Sequence, residues 1–208
     1  MVYSKIIDGF GEIQLRELDL EKDALLLHGW VTMPYAHYWG MQKSTIEEVY
    51  KEYEALSQSA DHKAFVGMYR NQPIFLMEKY KASENEIAKY YDCSEGDYGM
   101  HVLVAPLKRK IPHFTWYIFT TILEYFFSDI TIQRIVVEPD VNNDKIHVLN
   151  KKAGFRYHSE IQLPHKKAAL AFCDRISYNK ALVQISNSEE IEEKKINHLE
   201  AKIWKKSE

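Results

Sequence analysis

Asp97-Tyr98-Gly99-Met100-His101-Val102-Leu103-Val104, followed by Ala105 and Pro106, is the stretch on which the fold turns. Residues 100–104 read as a strand, because one histidine sits among four apolar residues and Pro106 ends the ladder by withholding an N–H. Just upstream, residues 64–69 and 74–80 are strand-like runs separated by Arg70-Asn71-Gln72-Pro73, a turn-rich junction that predicts an antiparallel hairpin. Just downstream, residues 114–127 are apolar on nearly every face, as in a helix buried on most sides. Residues 133–138 then hold Ile135-Val136-Val137, the continuous apolar run of a strand covered on both faces, which Pro139 ends.

Further out, Ile13 and Leu15 alternate with polar residues over 12–17, predicting the first strand. Asp19 caps a helix with Leu25, Leu26 and Leu27 on its apolar face. Ser44 or Thr45 caps a second helix over 45–57, with Glu47 and Glu48 at its positive end. Asn142 or Asn143 caps a helix running to Ala153, with Gly154 as its left-handed terminator. Residues 155–163 and 168–178 form two closing strands joined through Pro164-His165-Lys166-Lys167. The order is strand, helices, three strands, helix, strand, helix, two strands, which predicts a mixed α/β domain over 1–185. Beyond it, 186–208 is a charged extension. Its Ile191, Ile196, Leu199 and Ile203 are spaced five, three and four apart, a stripe that could be a helix pairing two copies or a solvated tail.

The 208 residues suffice for one domain, and a formal charge of -3 with scattered basic residues leaves no footprint for nucleic acid. No apolar run approaches the ~18 residues of a membrane span. The first residues lack the basic-then-apolar pattern of a secretory signal. Two isolated cysteines, Cys93 and Cys173, fit a reduced, cytoplasmic compartment and no zinc or other metal site.

Four words, in order, carry a resemblance: Asp97 to Leu103; Arg134-Ile135-Val136-Val137-Glu138-Pro139-Asp140 with Asn142 and Asn143; Lys152-Ala153-Gly154-Phe155; and Leu163-Pro164-His165-Lys166-Lys167-Ala168. Together they resemble the GNAT-fold N-acyltransferases of siderophore biosynthesis, of the aerobactin, alcaligin and mycobactin types. Upstream, His28-Gly29-Trp30, Pro34 and Tyr38-Trp39-Gly40-Met41 resemble the acceptor-side segment of that group, and Glu78-Lys79-Tyr80 its following strand. Lys-Ala-Gly-Phe alone is common to GNAT proteins and says nothing of substrate.

The resemblance implies an α/β sheet that splays to hold acetyl-CoA or another short acyl-CoA as co-substrate, with direct attack of a small-molecule amine on the thioester. Val102, Leu103, Val104, Thr115 and Asn143 would line the donor. GNAT proteins place a glycine-rich turn after the central strand to hold the pyrophosphate. Here 107–115 contains no glycine, and Lys108, Arg109 and Lys110 would replace the backbone nest with charge. The same residues also read as a basic surface loop.

His101 matches the family's active-site histidine. An ordinary pKa of ~6.5 makes it a candidate general base or acceptor orienter. Asp140 would emerge beside the cleft and hold His101 or the acceptor, although its spacing suits helix capping equally well. His37, Trp39 and Met41 would wall the acceptor, with Trp30 in the core. Lys166 would meet a carboxylate of the acceptor or of a succinyl donor. The expected reaction is acetylation or succinylation of N-hydroxylysine, N-hydroxyputrescine or N-hydroxycadaverine. The rivals are acylation of an unmodified amine and a non-catalytic GNAT-like binding domain.

Overall fold

The computed structural model describes residues 1–107 and 109–187. Lys108 and the expected stripe from Ile191 to Ile203 lie outside the described residues. Eight strands form one sheet in the order β1-β2-β3-β4-β5-β6-β8-β7. They are β1 (Tyr3–Ile7), β2 (Gly11–Glu17), β3 (His62–Tyr69), β4 (Gln72–Lys81), β5 (Asp97–Val104), β6 (Arg134–Val137), β7 (Arg156–Gln162) and β8 (Lys167–Asp174). The helices are α1 (Leu20–Val31), α2 (Ile46–Ser57), α3 (Phe114–Ser128) and α4 (Asp144–Lys152).

The hairpin expected at 64–80 is present. Arg70 and Asn71 both take positive φ, 50° and 60°, the two-residue turn whose twist matches its strands. Thr45 closes α2 with a capping box, its hydroxyl accepting from Glu48 N–H while the Glu48 carboxylate accepts from Thr45 N–H. Three local expectations need correction. A strand, β1, precedes the first one read from the sequence and pairs with it from Tyr3 opposite Leu15. The last strand ends at Asp174, and the chain continues helically over 175–187, carrying Tyr178 into the core beside α3. Asn143 sits at the start of α4, but neither it nor Asp19 of α1 makes a side-chain cap. At α1 the Asp23 carboxylate, clamped by Arg16, accepts from the Asp19 N–H instead.

Side-chain alternation divides the core in two. Phe75 and Met77 of β4 enter a cluster with Phe119, Ile122 and Phe126 of α3. Leu76 enters a second cluster with Leu27 and Val31 of α1 and Val49 and Tyr53 of α2. On that second face, the positions following Leu76 are Glu78 and Tyr80.

Among the described residues every strand pair is antiparallel except β5 with β6, and that pair is short. It runs from Asp97 opposite Arg134 to Gly99 opposite Val136. Arg134 locks its closed end with two hydrogen bonds to buried Asp97, 2.8 and 2.6 Å. Beyond Gly99, β5 stays with β4 as far as Val104 opposite Phe75. The chain after β6 stays with β8, where Ala169 N–H donates to Pro139 O at 2.8 Å. The two strands therefore separate, and Met100 to Val104 keep one edge unpaired by β6.

Gly99 is fixed by this packing. A Cβ there would overlap the Tyr80 ring across the β4–β5 ladder. Gly99→Ala is expected to cost about 1–3 kcal/mol, the usual range for overpacking, read as a lower urea midpoint. A midpoint equal to that of the native chain would mean Tyr80 moves freely.

Candidate active site

His101 stands where β5 and β6 part, directly opposite Glu78 in the β4–β5 register. Its Nδ1 lies 2.8 Å from Glu78 Oε2, and its Nε2 lies 3.0 Å from Glu138 Oε1, just past the end of β6. Both carboxylates are buried, at 8% and 7% exposure, whereas 37% of the His101 side chain remains accessible.

Each carboxylate is held further. Tyr53, from α2, donates to Glu78 Oε1 at 2.8 Å, and Trp39 Nε1 donates to the Tyr53 hydroxyl at 3.2 Å. Tyr80 donates to Glu138 Oε2 at 3.1 Å, and Lys166 Nζ stands 3.7 Å from Glu138 Oε1. His62 Nε2 lies 3.5 Å from Glu78 Oε2 without the alignment of a hydrogen bond. The result is a row of alternating groups across the sheet, Lys166–Glu138–His101–Glu78–His62.

A buried carboxylate stays ionised only with compensation. Burial opposes the charge on Glu78, but the hydrogen bond from His101 and the nearby His62 ring outweigh it and hold its pKa down to about 2. Glu138 is likewise held low: desolvation raises its pKa, while the bond from His101 and the nearby Lys166 charge lower it more. For His101, burial disfavours the cation, but the hydrogen bonds to Glu138 and Glu78 prevail and push its pKa up to about 10. At neutral pH the ring is an imidazolium with both N–H groups engaged by carboxylates. In that state the histidine has no lone pair with which to take a proton, which leaves the second of its two expected roles, orienting the acceptor.

The expected partnership of His101 with Asp140 is not present. Both ring nitrogens face glutamates, and Asp140 Oδ1 accepts from Asn142 N–H at 2.8 Å and Asn142 Nδ2 at 2.9 Å, closing its own loop. This is a turn ahead of α4 and not the helix cap its spacing also suggested, because α4 starts from Asn143. Lys166, expected to meet a substrate carboxylate, is drawn to Glu138 instead.

On the acceptor side, the turn Pro34–Trp39 brings the Trp39 ring to 6.2 Å from that of His101, edge on. The Tyr38 hydroxyl donates to Asn142 O at 2.9 Å, tying this turn to the loop after β6. Met41 packs against the α1–α2 cluster beside Trp39, Trp30 is buried in it, and His37 is exposed, with Nδ1 near Pro34 O. On the donor side, Val102 and Val104 lean on the α3 cluster, while Leu103 is buried in the other. Arg109, Lys110 and Thr115 are exposed around the start of α3, and Asn143 lies at the start of α4.

The model of the acetyltransferase (GNAT) domain matches residues 19–163. The chain belongs to the GNAT family. Among its relatives is the N(6)-hydroxylysine O-acetyltransferase of Escherichia coli, 25% identical over 164 residues, 78% of this chain and 52% of that protein. Another is the N(5)-hydroxyornithine:cis-anhydromevalonyl coenzyme A-N(5)-transacylase of Beauveria bassiana, 25% identical over 154 residues, 74% of this chain and 34% of that one. The chain thus spans about half the length of these relatives or less. A crystal structure of an uncharacterised Bacillus halodurans protein superposes with a TM-score of 0.77 at 26% identity, covering 82% of this chain and 88% of its own.

Within this GNAT domain, Glu78, Glu138, Tyr53 and Tyr80 build the site, yet no role was read for them in the sequence. A signal was present. Alternation from Leu76 puts Glu78 on a covered face, and Glu138 prolongs the apolar run of β6, so each is a carboxylate in need of a partner.

The charge row makes stability depend on pH with a definite sign. His101, raised from 6.5 to about 10, stabilises the fold fully below 6.5 and loses that contribution as pH climbs through about 10. Glu78, lowered from 4.5 to about 2, contributes above 4.5 and loses its share as pH falls through about 2. The gap in urea midpoint between the native chain and His101→Gln should be widest between these limits, from about 4.5 to 6.5, and shrink steadily to pH 10. A gap that vanishes by about pH 7.5 would mean an ordinary histidine.

Proposed function

We propose that this GNAT domain transfers an acetyl or succinyl group from acyl-CoA to an N-hydroxylated amine, as in hydroxamate siderophore synthesis. The observation that carries the reading is His101, fixed as an imidazolium between Glu78 and Glu138. An ordinary alkylammonium must lose a proton before it can attack, and a site meant for it needs a base that titrates near neutrality. An N-hydroxylated amine is less basic and is already largely unprotonated at neutral pH. A site whose histidine is held protonated suits the second acceptor. The relatives, named for hydroxylysine and hydroxyornithine, support the same choice.

The donor side supports a CoA thioester as co-substrate. The edge of β5 left unpaired by β6 from Met100 to Val104 offers backbone N–H and C=O groups to the amide-bearing arm of the donor. At the start of α3, His113 adopts φ 57°, a left-handed conformation that usually falls to glycine, and makes no side-chain cap. The first-turn N–H groups are free of such a cap, and Arg109 and Lys110 add positive charge beside them.

The acceptor nitrogen, placed against Trp39 and the accessible face of His101, attacks the thioester carbonyl with its own lone pair. The C–N bond forms, the C–S bond breaks, and the proton shed by nitrogen is taken up by the departing thiolate or by solvent. The imidazolium orients the acceptor by charge and shape and moves no proton. Asp140 lies in the loop whose Asn142 carbonyl accepts from Tyr38, and its carboxylate is the group we assign to the N-hydroxyl of the acceptor.

Release of CoA thiol from acetyl-CoA and succinyl-CoA with paired amines and N-hydroxy amines tests the reading. Turnover of an N-hydroxy amine, falling by about 10²-fold in His101→Ala through lost positioning of the acceptor, is expected. Turnover confined to unmodified amines, or no CoA release by the folded chain with any pair, would overturn it.

A further inference from the structure

Glu78 lies at 8% exposure on β4, and nothing in its position requires a charge for the fold; Leu76 and Tyr80 occupy the same strand face without one. Its two oxygens are nonetheless fully used. Oε2 meets His101 Nδ1, and Oε1 accepts from Tyr53, which in turn accepts from Trp39 of the acceptor wall. Glu78 is thus the one carboxylate of the row that is bonded both to the histidine and, through Tyr53, to the wall against which an acceptor would lie.

Resting on the acyl-transfer reading above, we propose that Glu78 is a positioning residue that sets acceptor specificity: by occupying the Nδ1 edge of His101 it prevents the ring from acting as a base and reserves the site for amines that arrive unprotonated. The groups facing His101 are few enough to make this testable. They are Glu78 and Tyr80 from β4, Glu138 after β6, Lys166 from the β7–β8 turn, and Trp39 from the Pro34–Trp39 turn. Behind Glu78 stand Tyr53 of α2 and His62 of β3. Without the Glu78 charge, Glu138 alone would hold the imidazolium, and its charge is shared with Lys166. The ring would then shed its Nδ1 proton at lower pH, and a neutral ring free to turn that nitrogen from the β4 side chain towards its accessible face could take a proton from an alkylammonium acceptor.

Two measurements on the whole chain test the idea. In the native protein, NMR titration of the His101 imidazole should show it charged through neutrality, with a midpoint near 10. In Glu78→Gln, which keeps an acceptor for Tyr53, the midpoint should fall towards about 6.5. The ratio of kcat/KM for an N-hydroxy amine over its parent amine should fall at least about tenfold, the low end of what a positioned base supplies being higher still. A native midpoint near 6.5, which is read without any variant, or an unchanged selectivity ratio in a folded Glu78→Gln, would overturn the proposal. Absence of turnover with N-hydroxy amines would instead remove the functional reading, and the titration would still report whether Glu78 governs the ring.

Discussion

Two carboxylates buried on one face of a sheet, with a single imidazole between them, constrain everything around them. Glu78 and Glu138 are nearly removed from water, and a carboxylate in that condition must either take up a proton or find a cation. His101 supplies the cation to both, at 2.8 and 3.0 Å. Tyr53, Tyr80 and Lys166 satisfy the remaining lone pairs, so few degrees of freedom are left to the ring. The site is therefore arranged to hold a charge rather than to exchange one.

The fold puts the two carboxylates where they can share a histidine. β4 and β5 stay paired throughout, which brings Glu78 opposite His101. β5 and β6 pair over three residues, with Arg134 and Asp97 fixing the closed end, and then separate so that Glu138 reaches the ring from the far side. Gly99 matters to both halves of this geometry. It is the last β5 residue in the parallel ladder, and its missing side chain leaves room for the Tyr80 ring that reaches Glu138. The same divergence leaves the outer half of β5 open on one edge, so the charged row and the proposed donor groove arise from one feature of the backbone.

Much of this architecture was legible in the sequence. The β3–β4 hairpin was announced by Arg70-Asn71-Gln72-Pro73, α2 by Ser44 or Thr45 with Glu47 and Glu48, and buried α3 by its nearly unbroken apolar surface. The first strand was not, because Tyr3 to Ile7 belongs to an edge strand whose Ile6 faces solvent and shows little contrast with its flanks. The final strand was drawn too long because Tyr178 is as apolar a signal on a buried helix face as in a strand. At the site, His101 stood out as one polar residue in an apolar strand, but its partners did not. Pairing Asp140 with it followed chain proximity and family likeness, whereas the actual contacts depend on the β4–β5 register and on where β6 ends. Register is a property of two strands together, and a single pass along the chain does not contain it.

The dependence of kcat/KM on pH with an N-hydroxy amine acceptor tests the central claim most directly. A site that holds its histidine as an imidazolium predicts a level profile from about pH 7 to pH 9, below the midpoint near 10 that the Glu78 and Glu138 contacts impose. A rise through that interval governed by one enzyme group with a midpoint near 7 would contradict it, because it would mean that His101 gives up its proton and serves as a base.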